Sequence, residues 1–308
     1  MKIFLETKFI SQSAYQYLID AWPQYKMTFT EEEDCEIIIG MFANNPQSYF
    51  DQFKKLRWII LISSGYNHLD FSYLKKRGIR VTNAKGVYDI QIAEDVVAKM
   101  LYFNKNMHVY DNHRKKHLWK HEGTHFELYK QEALILGAGS IGQDIAKRLK
   151  AFDMKIIGYK RTHEPLPFFD EVVTDLKTLS KYYKTCDYLI IALPLNQYTE
   201  SMIDASVLNQ LKSSTLIVNI GRGEIIDQDA LIKALNLEKI RGAALDVTVP
   251  EPLPKNHKLW DAKHIYISPH NSSASPKVQE RRLNMVIELL KRDLGHKEIF
   301  NVVLQGSE

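Results

Sequence analysis

The chain has 308 residues, 45% of them hydrophobic and 25% charged, with a formal net charge of +4. That length fits two domains or one large α/β unit, and roughly three quarters of the unfolded surface would be buried, so the core needs no disulfides. The basic residues are scattered or paired, as in Lys115-Lys116 and Arg281-Arg282, and form no long arm, which argues against a nucleic-acid surface, and no run nears the ~18 apolar residues of a membrane span.

In chain order, Met1-Lys2-Ile3-Phe4-Leu5-Glu6 reads as a strand interrupted by charge, with neither the apolar core nor the cleavage site of a signal peptide. Cys35 and Cys186 each sit beside an apolar run, as buried thiols do, and the two observations together predict a cytoplasmic protein. Strands are expected at 3–5, 36–40, 58–63 and 80–82, followed by a long helical stretch from about 92 to 119 that breaks near Gly123. A second set of strands is expected at 133–136, 155–159, 188–193, 215–219, 242–246 and 265–268. Most are unbroken β-branched or aliphatic runs, as in strands covered on both faces by helices. Repeated strand–helix alternation predicts an α/β protein with two doubly wound parallel sheets. After Pro276 one amphipathic helix, carrying Val278, Met285, Leu289 and Leu290, runs to about Leu294. With no sheet left beside it, it is expected to return to the first domain. The division is then 1–96 with 273–308, and 97–272.

Within the second set, Glu132-Ala133-Leu134-Ile135-Leu136 runs into Gly137-Ala138-Gly139-Ser140-Ile141-Gly142 and on into a helix, with another strand after it. A glycine pattern alone is weak, but this strand–turn–helix–strand context predicts a dinucleotide site. Gly137 permits the tight turn, and Gly139 lets the backbone N–H groups of the turn, including Ser140 and Ile141, approach the pyrophosphate. Gly142 lets the helix pack on the sheet with its positive N-terminus toward the phosphates. An NAD site calls for Asp or Glu at the end of the next strand, where this chain reads Tyr159-Lys160-Arg161-Thr162. Lys160 and Arg161 would attract a 2′-phosphate and Thr162 would donate to it, so NADP(H) is the expected cofactor, with NAD(H) as the alternative. The plain alternative is two solvated basic residues ending a strand.

Three polar motifs then close predicted strands: Asn219-Ile220-Gly221-Arg222-Gly223, Asp246-Val247-Thr248-Val249-Pro250-Glu251-Pro252, and Ser268-Pro269-His270-Asn271. Ligands of open α/β sheets bind at the carboxyl ends of strands. Reduction of a keto acid needs a cation for the carboxylate, which Arg222 supplies, and an acid for the carbonyl oxygen, which His270 supplies. It also needs an anion beside that acid, which Glu251 supplies. Each residue alone is more often structural; after a dinucleotide fingerprint the set points to catalysis.

These motifs resemble those of the D-isomer-specific 2-hydroxyacid dehydrogenase family, which includes glyoxylate/hydroxypyruvate reductases, and the resemblance covers nearly the whole chain. It implies a flavodoxin-like substrate domain formed from both termini and a Rossmann cofactor domain, in a protein that is commonly a homodimer. Ser63-Ser64-Gly65-Tyr66-Asn67-His68-Leu69-Asp70 resembles the family's substrate-binding turn, where backbone amides at Ser64, Gly65 and Tyr66 meet the carboxylate. Gly86-Val87-Tyr88 and Ala93-Glu94 resemble the entry to its long helix. Leu193-Pro194-Leu195 with Thr199 resembles the cofactor-side loop, beside which Ile220 also falls. By the same resemblance Arg222 and His270 bind substrate, His270 is the acid/base, Glu251 orients and charges it, and Asp246 and Asn271 lie near the nicotinamide carboxamide. The chain departs from the family pattern at Asn196, often Thr, and at Thr248, often aromatic. It departs again at Asn271-Ser272-Ser273, often an aliphatic residue and glycines. Formate-type dehydrogenases lack the partner that Glu251 provides; a nucleotide-sensing corepressor-like protein on the same fold is the reading from a different functional class.

Other signals are weaker. His113, His117, His121 and His125 recur every four residues and would stripe one helix face. No carboxylate or cysteine completes a ligand set there, so a partly exposed helix face is expected and no metal is assigned. His68 is expected to support its loop, and Asn271-Ser272-Ser273 matches a glycosylation acceptor only incidentally.

Overall fold

A computed structural model describes residues 1–6, 12–42, 45–162 and 164–306. The chain divides into two compact units, Met1–Tyr88 with Ser275–Glu308, and Asp89–Ala274. The first unit opens with β1 (Lys2–Leu5), α1 (Gln12–Ala21), β2 (Lys26–Thr28), β3 (Ile37–Gly40), β4 (Trp58–Leu61), α2 (Phe71–Lys76) and β5 (Arg80–Thr82). In β3 and β4 the sequences IIIG and WIIL are buried at every position, as expected of parallel strands covered on both faces.

The second unit runs α3 (Asp89–Asn104), α4 (Met107–Lys115), β6 (Glu132–Leu136), α5 (Ser140–Lys150), β7 (Lys155–Tyr159) and β8 (Glu171–Val173). It continues through α6 (Leu176–Tyr183), β9 (Tyr188–Ile191), α7 (Ala205–Leu208), β10 (Leu216–Asn219), α8 (Gln228–Asn236), β11 (Gly242–Leu245) and β12 (Ile265–Ile267). The chain then returns to the first unit as α9 (Val278–Leu294) and β13 (Val302–Leu304). Asp293 near the end of α9 is gripped by Arg57, with Nη2 to Oδ2 at 2.6 Å, and Arg282 donates to the Tyr88 hydroxyl at 2.9 Å.

The first sheet has the order β13-β5-β4-β3-β1-β2 and is parallel except for the antiparallel edge strand β13. The second has the order β12-β11-β10-β9-β6-β7-β8 and is parallel throughout. In each sheet the first strand pairs on both sides: β1 with β2 and β3, and β6 with β7 and β9. These are the flavodoxin-like and Rossmann orders, and the carboxyl ends on either side of the first strand are where such sheets bind ligands. No helix among the described residues is long and apolar enough to cross a membrane.

Two expectations need correction. The helical stretch from 92 to 119 is two helices, parted at Asn106, which adopts φ 49° as the residue before α4. The second helix ends at Lys115, and His117 has φ 52°, so of the histidine series only His113 lies on it. The four histidines therefore do not form a helix face. Instead the His125 ring meets the Tyr110 hydroxyl at 2.9 Å, and His113 lies 3.9 Å from Glu122.

Candidate active site

The three polar motifs close β10, β11 and β12, which are neighbours in the second sheet, so parallel pairing delivers them to one edge. Asp246, directly after β11, is 1% exposed and organises the turn at the end of β12. Its Oδ1 accepts from the Ser268 hydroxyl at 2.6 Å and the Asn271 amide at 3.1 Å, and its Oδ2 from the Ser272 amide at 3.0 Å. Its carbonyl accepts the amide of His270 at 2.8 Å. Burial alone would push the Asp246 carboxyl up; the hydrogen bonds from Ser268 and Ser272 and the charge of Lys99 outweigh it and hold it below the usual carboxylate range.

His270 has φ 49°, a left-handed conformation uncommon for a residue with a Cβ. Gripping residues 268, 270, 271 and 272 from one side chain and its own backbone, Asp246 holds that conformation in place. The imidazole extends outward, 47% exposed, with Nδ1 2.8 Å from Oε2 of Glu251. The other Glu251 oxygen accepts the Thr248 amide at 3.1 Å. A carboxylate only accepts, so Nδ1 carries a proton toward Glu251 and Nε2 is the nitrogen available to a substrate. The loop bearing Glu251 is pinned by Gln228 at the start of α8, which donates to the Val249 carbonyl at 2.5 Å and accepts the Val249 amide at 3.0 Å. Asp246, Glu251 and His270 line a cavity of about 550 Å³ whose apolar walls include Leu253, Trp260 and Ile267.

Arg222 stands in a turn tied by Asn219, which is 1% exposed. The Asn219 amide nitrogen donates to the Arg222 carbonyl at 2.9 Å, and its oxygen accepts the Gly221 amide at 3.0 Å. A Cβ on Gly223 would lie 2.4 Å from the Thr248 carbonyl, so the arginine turn packs directly on the loop that carries Glu251. The guanidinium makes one hydrogen bond among the described residues, to the Gly221 carbonyl at 2.7 Å, which leaves donors for an anionic ligand.

The glycine turn fits a dinucleotide. Gly137 has φ 104°, and a Cβ on Gly142 would lie 2.1 Å from the Gly137 carbonyl, so the fold itself requires both glycines. A Cβ on Gly139 would meet nothing within 4 Å; there the chain leaves open space for a ligand to approach the backbone. Gly139 precedes α5 with no side-chain cap, so Ser140 and Ile141 open the helix with amides suited to a pyrophosphate. The Ser140 hydroxyl is engaged by Asp89. The β6–β7 register pairs Leu136 with Tyr159, placing Lys160 beside this turn. The side chains of Arg161 and Thr162 are exposed and make no ion pair or hydrogen bond among the described residues. Lys160, however, is paired by Glu164, which folds back onto it instead of standing clear along the chain.

Thr199, 7% exposed, shapes the loop after β9: it donates to the Pro194 carbonyl at 2.7 Å and accepts the Asn196 amide at 2.9 Å. A Cβ on Gly221 would lie 2.7 Å from the Leu193 carbonyl, so this loop lies against the arginine turn, with Ile220 buried and Asn271 exposed nearby in sequence to Arg222 and His270 respectively. In the first unit, the turn after β4 is braced by Asn83, which donates to the Ser64 carbonyl at 2.7 Å, and by the stack of Tyr66 on Phe71, with centroids 5.3 Å apart. The amides of Ser64, Gly65 and Tyr66 donate to no acceptor among the described residues. The His68 carbonyl accepts from Gln47 at 3.0 Å.

Residues 97–272 match the model of the D-isomer specific 2-hydroxyacid dehydrogenase family's NAD binding domain. The chain belongs to the D-isomer specific 2-hydroxyacid dehydrogenase family. A glyoxylate reductase of Pyrococcus horikoshii is 32% identical to it over 89% of this chain and 86% of that protein. A D-isomer specific 2-hydroxyacid dehydrogenase family protein from Aeromonas salmonicida superposes with a TM-score of 0.87 at 25% identity, covering 98% of each chain. An NADPH-dependent glyoxylate/hydroxypyruvate reductase from Sinorhizobium meliloti, solved with NADP and sulfate, shares the fold with a TM-score of 0.83 at 21% identity over 98% of each chain. Like other members of the 2-hydroxyacid dehydrogenase family, this chain is an NAD(P)-dependent oxidoreductase of 2-hydroxy acids.

Three contributors escape the sequence reading as site residues: Gln228, Asn219 and Lys99. Asn219 opens the strand-closing motif of Arg222, but nothing in its local sequence marks it as the side chain that ties the arginine turn. Lys99 had a signal. It falls in the buried stripe Ala93, Val96, Met100 and Phe103 of α3, where helical spacing calls for an apolar residue.

Proposed function

We propose that this enzyme reduces a small 2-keto acid, of the glyoxylate or hydroxypyruvate kind, to the D-2-hydroxy acid, with NADP(H) preferred over NAD(H). The observation that carries the reading is the His270–Glu251 pair, fixed through both Glu251 oxygens. When bound, the nicotinamide supplies the hydride, its pyrophosphate held by the Gly139, Ser140 and Ile141 amides. By the family resemblance Asp246 and Asn271 would stand near its carboxamide, and Leu193, Pro194, Thr199 and Ile220 would flank it. Arg222 takes the substrate carboxylate in its planar fork. His270 gives the Nε2 proton to the carbonyl oxygen as it becomes an alkoxide, and keeps the Nδ1 proton on Glu251. In oxidation the same nitrogen takes the proton back.

The NADP(H) preference rests on Lys160, Arg161 and Thr162 standing where an NAD enzyme has a carboxylate. The exposed Arg161 is ready for a 2′-phosphate, whereas Lys160 must exchange Glu164 for it. The relatives named glyoxylate reductase favour a small substrate, and the same reading expects a cytoplasmic homodimer. The test monitors oxidation of NADPH and of NADH with glyoxylate, hydroxypyruvate, pyruvate and phenylpyruvate. Efficient oxidation of NADPH by the first two is expected. Equal or better use of NADH refutes the cofactor preference, and preference for phenylpyruvate refutes the substrate class.

A further inference from the structure

Lys99 lies on α3, in the buried stripe of that helix, and is 3% exposed. Its ammonium pairs with Asp95 one turn earlier and stands 3.7 Å from Oδ1 of Asp246. A lysine so enclosed is rare unless its charge is matched, and here it is shared between two carboxylates. Asp246 is the side chain that accepts from Ser268, Asn271 and Ser272 while its carbonyl holds the His270 amide.

We propose that Lys99 is a positioning residue for catalysis: it seals the buried Asp246 clamp and thereby holds the 268–272 turn that carries His270. The inference rests on the assignment of His270 as the acid/base. The chemistry is specific. A carboxylate with both oxygens committed to donors can keep them only while it accepts through both. Removing Lys99 takes away a positive charge that holds the Asp246 carboxyl down while the negative charge of Asp95 remains beside it, so Asp246 takes up a proton at higher pH than in the wild type. Asp95 is already pushed up by burial, which outweighs its contact with Lys99. Among the described residues, the ionisable groups around Asp246 are Lys99 and Asp95 from α3, and Glu251 and His270, which share its cavity. Protonation of Asp246 converts an acceptor into a donor, breaks part of the clamp and releases the strained His270 backbone.

The test measures kcat for keto-acid reduction by wild type and Lys99→Met as a ratio at each pH, so that the titration of His270 cancels. The ratio of variant to wild type should rise with pH through the acid range, with Asp246 of the variant titrating above the depressed range it occupies in the wild type, and the rise is about tenfold for each pH unit of that displacement. Adding Asp95→Asn to Lys99→Met removes the competing carboxylate and should move the rise to lower pH. If Lys99→Met does not fold, the double variant is read alone against wild type by the same criterion. A ratio that does not change with pH overturns the proposal, since a merely structural lysine would lower activity uniformly. Hydrogen exchange of the 268–272 amides, compared between variant and wild type at one pH, gives a readout without turnover. The variant should exchange faster than wild type by a factor that is larger at low pH than at high pH, and a factor that is the same at both overturns the clamp. A wild type that turns over no 2-keto acid would refute the functional reading while leaving this exchange result interpretable.

Discussion

Glu251 meets His270 with one carboxylate oxygen, at 2.8 Å from Nδ1, and spends the other on the Thr248 amide at 3.1 Å. The carboxylate cannot rotate without losing one bond, so the imidazole inherits a fixed orientation from backbone three residues before Glu251. After Nε2 releases its proton, the remaining one must stay on Nδ1, and Glu251 is its acceptor. Glutamine at 251 offers an NH₂ that competes as a donor to Nδ1. Glu251→Gln should therefore lower kcat by about 10²–10⁴-fold with little change in NADPH affinity, by steady-state kinetics and fluorescence titration. An unchanged kcat would mean that the pair is not catalytic.

The arginine turn predicts a different kinetic signature. Arg222→Gln keeps the turn, which Asn219 and Gly221 build through the backbone, but removes the planar cation. KM for the keto acid should rise about 10–100-fold, the worth of charge-assisted hydrogen bonds. A variant with normal KM would remove Arg222 from the substrate.

The two glycines should separate fold from ligand. Gly142→Ala drives a Cβ to 2.1 Å from the Gly137 carbonyl and should cost about 1–3 kcal/mol of stability, seen as a lowered Tm. Gly139→Ala points into space where nothing lies within 4 Å, so Tm should hold while NADPH affinity falls. Matching effects of the two substitutions on Tm would contradict the assignment of Gly139 to the ligand.

Such contrasts show why parts of this protein are legible in its sequence. The glycine turn and the motifs around Arg222, Glu251 and His270 are encoded within a few residues each, and strand ends deliver them to one edge. What is not legible depends on partners remote in the chain. Nothing beside Gln228 announces that its amide will clasp Val249, and Glu164 reaches Lys160 only because the chain turns after β7. The strands β2, β8 and β13 are three-residue edge pieces, too short for a hydrophobic pattern. The break at Asn106 involves no glycine or proline, and the end of α4 at Lys115 undoes the histidine stripe that a longer helix would have made.

Cofactor choice turns on Lys160, Arg161 and Glu164. Arg161→Ala should reduce kcat/KM for NADPH about 10–100-fold and leave NADH nearly unaffected. Glu164→Gln frees Lys160 and should increase the preference for NADPH. A decrease in that preference would show that Glu164 supports the site.

Cys186 is fully buried, and that burial pushes its thiol up to about 12. Cys35 is buried as well, and both are free. Neither should react with an alkylating reagent near neutral pH until the protein is unfolded, as mass spectrometry would register. Rapid labelling of the native protein would contradict the burial.

The most direct measurement compares wild type with His270→Asn in single-turnover reduction of glyoxylate by saturating NADPH, alongside NADPH affinity. The account predicts similar affinities and a rate reduced by about 10²–10⁴-fold in the variant, the contribution expected of a general acid. A variant that reduces glyoxylate at the wild-type rate would contradict the assignment of His270 as the proton donor, and with it the mechanism built on Glu251 and Arg222.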